Sequence, residues 1–310
     1  MGRVRVTDYL FLLRPMILIP VWTFYLLGAY HGATIAGMQL QPARLLIGLG
    51  SFTALLGAIY IINQISDREV DLANRKLFLI SRSIVPLWSA WVEAALLIAL
   101  AFLLGLLFLP IRFVIVLLVS LVLGAAYSLE PLRFKRRPAL DVLANAAGNG
   151  ILNTLAGWTA IGAPLSEWAI LLPYPLAVAS VHLATTIADI EGDGSVGFRT
   201  SGVVLGTRKG VIVSTGLMTV AIVVAFIVHN KLAFYASLFS LPMFLIPARS
   251  PGKASQKMNV LLPVKVATLI FSVTAGFLFP LYIPFLAAVI LLTRLYYKRR
   301  FGIVYPSFKA

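Results

Sequence analysis

Apolar runs long enough to cross a membrane recur along this chain, and no other feature constrains its fold as strongly. They fall at 9–31, 43–65, 86–108, 110–128, 139–163, 167–189, 208–228, 231–248, 261–279 and 282–297. A helix needs about 20 mainly apolar residues to cross a hydrocarbon core roughly 30 Å thick. Backbone groups in lipid must find their hydrogen bonds internally, so the runs are expected as helices. The alternating strands of about ten residues that a barrel requires are not seen. Only 12% of the 310 residues are charged, about half the share in an ordinary soluble domain, too few to cover a water-facing surface. The expected fold is all-α: a polytopic membrane helical bundle forming a single transmembrane domain over 1–310. Pro280 and Pro284 flank a short break, so 261–297 reads as two spans or as one span plus a surface helix, giving nine or ten spans. The first run contains Arg14 and Pro15 and lacks a small-x-small cleavage site, so it reads as a retained helix rather than a signal peptide.

The net charge of +15 could point to nucleic acid, but the basic residues are divided among short loops. Their distribution is that of a topology signal and of contact with anionic headgroups, and no nucleic-acid partner is expected. Eighteen Lys and Arg residues fall in the N-terminus and the loops after the even-numbered runs, against three (Arg44, Arg112 and Lys231) in the opposite loops. That asymmetry predicts an integral protein of the cell (inner) membrane with its N-terminus and even loops in the cytoplasm. Cysteine is absent, which excludes disulfides, thiolate nucleophiles and thiolate-held metals.

Six of the eleven acidic residues lie in two clusters at the ends of apolar runs. Asn63, Asp67 and Asp71 close the second run; Thr185, Asp189 and Asp193 close the sixth, each 122 residues further on. The match predicts an internal duplication, with four-helix halves at about 9–128 and 139–248 sharing one site where they meet, followed by the C-terminal helix or helices at 261–297. Spacing of four puts Asn63, Asp67 and Asp71 on one helical face, about 5–6 Å apart. Oxygen donors so close repel one another unless a cation sits among them. Hard oxygens with open positions suit Mg2+, which keeps waters and completes its shell with substrate phosphates. The bland alternative, solvated or capping acids, is weakened by the matched spacing, the matched position and the scarcity of acids elsewhere.

These motifs resemble the UbiA superfamily of membrane-embedded prenyltransferases. Asn63-x3-Asp67-x3-Asp71 is similar to the family's first Asp-rich motif, and Asp189-x3-Asp193 to its second. The stretch from Tyr127 to Arg137 resembles the family's loop after helix four, and Arg14-Pro15 its motif in helix one. Two departures stand out. Asn74-Arg75-Lys76-Leu77-Phe78 replaces an Asn-x-Pro-x-Arg-Pro-like stretch, and Thr185 stands where the first motif has Asn63, so the two metal sites are expected to be unequal.

The resemblance implies an intramembrane, Mg2+-dependent transfer of an isoprenyl group from an allylic polyprenyl diphosphate to a hydrophobic acceptor, either an aromatic quinone precursor or a lipid. It implies Asn63, Asp67, Asp71, Asp189 and Asp193 as metal ligands, and Arg14, Arg68, Arg133, Lys135 and Arg136 as diphosphate contacts. Tyr127 is the further catalytic candidate, facing the diphosphate or the developing cation; its bland reading is an interfacial tyrosine. His182, seven residues before Asp189, reads as a hydrogen-bonded interior histidine in preference to an acceptor contact. Gly148, Gly150 and Gly157 read as helix-packing positions. The competing class is a secondary transporter with acidic cation sites, but transporter acids sit near the bilayer midplane, whereas these lie at helix ends beside basic loops.

Overall fold

The computed structural model describes residues 4–73, 78–249 and 257–306. Arg3, Lys253 and most of the departing 74–78 stretch, with Arg75 and Lys76, lie outside them. The first apolar run is two helices, α1 (Val6–Leu12) and α2 (Pro15–Ala36), not one. Pro15 has no N–H to donate and disfavours helical geometry in the residue before it. Arg14 leaves right-handed helical geometry between the two, taking a left-handed backbone (φ 57°, ψ 63°) and not the extended one that a following proline favours.

Then come α3 (Pro42–Ser66), the short α4 (Arg68–Ala73) and α5 (Phe78–Ser81), α6 (Leu87–Phe108) and α7 (Ile111–Ser128). The fifth run starts as α8 (Leu140–Asn145), widens to i→i+5 winding over Ala146–Leu152 and resumes as α9 (Asn153–Ala160). Next come α10 (Pro173–Ala188), α11 (Ile190–Ser195) and α12 (Ser201–Ile227), the last kinked at Gly206 (φ 67°, ψ 173°). The chain closes with α13 (Lys231–Arg249), α14 (Lys257–Leu278) and α15 (Tyr282–Phe301). Among the described residues there is no strand, and seven helices are long and apolar enough to cross a membrane.

Burial separates the central helices from the lipid-facing ones. Over its apolar window α2 is 78% buried and α6 only 17%, so α2 is the axis of the bundle and α6 lies at its rim. In lipid there is no hydrophobic drive between helices, and close approach depends on small residues. Gly28 and Gly157 supply it where α2 crosses α9: a Cβ on either would run into the backbone carbonyl of Thr154 or Tyr25. Gly150 meets the Pro175 backbone in the same way, whereas Gly148 has room for a side chain. Serine–carbonyl bonds add to the packing: Ser180 donates to the Ser214 carbonyl (2.7 Å) and Ser214 to that of Ser180 (2.9 Å), joining α10 to α12. Each such bond contributes about 0.6–2 kcal/mol in a membrane.

α15 folds back along α2. Tyr282 reaches Thr23 (2.8 Å), and Arg300 pairs with the buried Asp8 of α1 (3.0 Å), which brings the end of the described chain to the end where it begins.

Candidate active site

The two acidic clusters stand at two helix breaks of the same geometry. Asp67 ends α3 with φ −100° and ψ 6°; Asp189 ends α10 with φ −104° and ψ 7°. Beyond each break a short helix restarts. The Asp71 amide donates to the Asp67 carbonyl (2.8 Å), and the Asp193 amide to that of Asp189 (2.8 Å). The single continuous helical face expected for Asn63, Asp67 and Asp71 is therefore bent at its middle residue, with the four-residue spacing kept by backbone bonds across the bend.

A cavity of about 400 Å³ lies between the breaks. Asn63, Asp67, Asp189 and Asp193 line it, as do Tyr127, Arg14 and Lys135. The other sequence candidates stand outside its wall. Asp71 is buried one turn beyond Asp67, and Arg68 bonds Ser83 at the surface (3.0 Å). Arg133 donates to Glu130 (2.8 Å) and lies 3.5 Å from Asp67, while Arg136 stacks over Phe198, itself a wall residue, at 3.9 Å. The left-handed backbone of Arg14 costs about 1 kcal/mol or more, and its side chain lines this cavity.

The basic loop after α7 folds over the first break. Lys135 Nζ donates to Asp67 Oδ2 at 2.7 Å. Burial lowers the pKa of Lys135, and the charge and hydrogen bond of Asp67 oppose that shift. The Asn63 amide best satisfies its neighbours with its oxygen toward Ser128 (3.0 Å) and Lys135 (3.3 Å) and its nitrogen toward Asp67 (3.3 Å). At the other break, Thr200, the N-cap of α12, donates to Asp193 (3.1 Å). Among the described residues no group of three His, Cys, Asp or Glu could hold a metal unaided. The donors that line the cavity are hard oxygens in ones and twos, the set that suits Mg2+ completed by water and phosphate.

A second cavity of about 410 Å³ adjoins the first, walled mainly by apolar side chains of α2, α10 and α14. Ile17, Tyr60, Asn145, Asn149, His182 and Thr185 line both. The Nε2 of His182 is buried without a partner, so the expected hydrogen-bonded interior histidine is not what the fold makes of it. Sequence reasoning missed Asp141, Asn145, Asn149 and Asn153. Their four-residue spacing through an apolar run was a readable signal, equivalent to the one at Asn63, Asp67 and Asp71. Asn149 donates to Asn145 (3.2 Å) and Asn153 to Asn149 (3.3 Å), and Asn153 Oδ1 remains unpaired. Wide helical turns such as the one carrying Asn149 occur often at functional sites. Asp141 accepts from the Ser201 amide (2.7 Å) and hydroxyl, tying the start of α12 to α8.

A model of the UbiA prenyltransferase family matches residues 17–258. The chain belongs to that family. Among its relatives, digeranylgeranylglyceryl phosphate synthase of Natronomonas pharaonis is 29% identical over 202 residues, 62% of this chain and 68% of the relative. The bacteriochlorophyll synthase 34 kDa chain of Chloroflexus aurantiacus is 29% identical over 210 residues, 66% of each. A UbiA homolog from Archaeoglobus fulgidus, solved with GPP and Mg2+ bound, shares the fold with a TM-score of 0.70 at 22% identity, over 87% of this chain and 98% of that one. As a UbiA-family protein the chain is an intramembrane prenyltransferase, and the transporter alternative falls away.

Proposed function

We propose that the cavity between the two breaks binds the diphosphate of an allylic polyprenyl donor through Mg2+, and that the second cavity takes the prenyl chain. One observation carries the reading: two helix breaks of matching backbone geometry present Asp67, Asp189 and Asp193 to a single cavity that Lys135 and Arg14 also line. Asp71 is retained as the further carboxylate of the first break, which makes the two sites unequal, since its counterpart Asp193 faces the cavity and Asp71 does not. Bound Mg2+ would act as a Lewis acid that neutralises charge on the departing diphosphate.

The residues divide the remaining work. Lys135, held by Asp67, turns to the diphosphate when it arrives and frees that carboxylate for the metal. Arg14 contacts the phosphate from the α1–α2 break, and Arg133 and Arg136 hold the loop that roofs the site, with Arg68 at its edge. The bond between the allylic carbon and the diphosphate oxygen breaks with its electron pair going to the oxygen. Tyr127 faces the resulting cation with its ring. The acceptor lies at the junction of the cavities, where His182 Nε2 offers a hydrogen-bond position to its polar end, and Asn153 Oδ1 offers another in the first cavity. Its class is an aromatic or lipid nucleophile with an apolar body.

The same breaks support an origin by duplication, with halves at about 9–128 and 139–248. Ten membrane segments are the reading that fits best, with α8–α9 as the fifth and α15 as the tenth, because the Arg300–Asp8 pair returns the chain to its starting side. That side carries the acidic clusters and the basic loops, and it faces the cytoplasm of the cell membrane.

The test is transfer. Membranes containing the protein should move label from geranylgeranyl diphosphate into a lipid or aromatic acceptor in Mg2+, and chelation should stop it. Transfer that persists after exhaustive chelation would overturn the metal-dependent reading.

A further inference from the structure

A groove largely outside the family-matched residues runs between the two ends of the chain. Its walls are α1, the first turns of α2 and most of α15, with Thr53 of α3 at its inner end, and it encloses about 650 Å³. Apolar side chains make most of the lining, including Leu10, Leu18, Trp22, Phe285, Val289 and Leu292. It uses Pro15, Leu18 and Trp22 of α2, whereas the two cavities of the candidate site use Met16, Ile17, Pro20, Thr23 and Phe24 of that helix, so the groove opens on another face of it.

Its chemistry is graded along its length. Arg5, Arg299 and Arg300 line one end. Arg300 is held by Asp8 (3.0 Å). Arg5 and Arg299 are exposed, and among the described residues neither guanidinium has a carboxylate partner. Further in, Thr293 lines the groove with a buried Oγ1 that has no hydrogen-bond partner. From Arg299 to Phe285 the helix rises about 21 Å, enough to cross one leaflet's share, about 15 Å, of the hydrocarbon core. Thr293 is about 9 Å along the axis from Arg299, where the glycerol esters of a lipid would lie if its phosphate met the arginines.

We propose that this groove binds an anionic glycerophospholipid. The phosphate sits between Arg5 and Arg299, Thr293 donates to an ester oxygen, and one acyl chain lies along Leu292, Val289 and Phe285. Two unpaired cations select a net negative headgroup over a zwitterionic one, and the apolar length selects a lipid over free phosphate. A lipid so placed would bridge α1 and α15 across the Asp8–Arg300 pair.

Native mass spectrometry of the full-length protein in detergent tests this, titrating phosphatidylglycerol, phosphatidylcholine of the same chains, inorganic phosphate and geranylgeranyl diphosphate. We expect phosphatidylglycerol to bind at least tenfold more tightly than phosphatidylcholine. Arg5→Gln and Arg299→Gln should each cost about fivefold, and Val289→Trp should block the groove, with prenyl transfer intact in all three. Equal binding of the two phospholipids, or a preference that survives in the double arginine variant and in Val289→Trp, would overturn the proposal. So would displacement of phosphatidylglycerol by millimolar phosphate, which would mean a headgroup site without a chain, or by geranylgeranyl diphosphate, which would make the groove a donor site.

Discussion

At the scale of single residues, the site is built from groups whose roles depend on what already holds them. Asp67 is paired with Lys135, and Asp193 with Thr200, before any substrate arrives. Asp141 does different work: it is 1% exposed and receives two donors from Ser201, fixing the helix that carries Thr200. Asp141→Ala is expected to cost about 2–3 kcal/mol, in keeping with the loss of hydrogen bonds to a buried charge. Thermal denaturation in detergent should show that loss, with a smaller one for Ser201→Ala. His182→Gln should leave donor binding unchanged and lower transfer to the acceptor at least tenfold; equal losses of both would place His182 on the donor side. The acidic clusters were legible in the sequence because acids are so scarce that position and spacing alone single them out. The Asp141-to-Asn153 stripe was equally regular but was hidden within a run read only for its apolarity.

At the scale of elements, the second, third and fourth apolar runs were legible to within a residue as α3, α6 and α7, because a long apolar run has one way to satisfy its backbone in lipid. Breaks were not legible to the same degree. Arg14-Pro15 looked like a motif within one helix and is a boundary between two, because proline acts on the residue before it. The bends at Asp67 and Asp189 have no proline beside them to announce them. Close helix crossings are testable here. Gly28→Ala and Gly157→Ala should each force α2 from α9 and sharply reduce folded yield, measured by gel filtration in detergent. Gly216→Ala, with nothing within 4 Å of the added carbon, should be silent.

At the scale of the whole molecule, the fold brings two helix breaks 122 residues apart in sequence onto one cavity, with the basic loops beside it and the apolar cavity below. Since the chain has no cysteine, sidedness can be read with single replacements. Ser195→Cys should react with a membrane-impermeant maleimide only from the cytoplasmic face, and Ser166→Cys only from the other. The central claim is that this one cavity holds a diphosphate through metal bound at both breaks. The most direct measurement is calorimetric titration of a non-hydrolysable geranylgeranyl thiolodiphosphate into the purified protein with and without Mg2+, comparing wild type with Asp67→Ala and Asp193→Ala. The account predicts binding only with Mg2+, weakened at least a hundredfold by either substitution; binding without Mg2+, or binding that either substitution leaves intact, would contradict it.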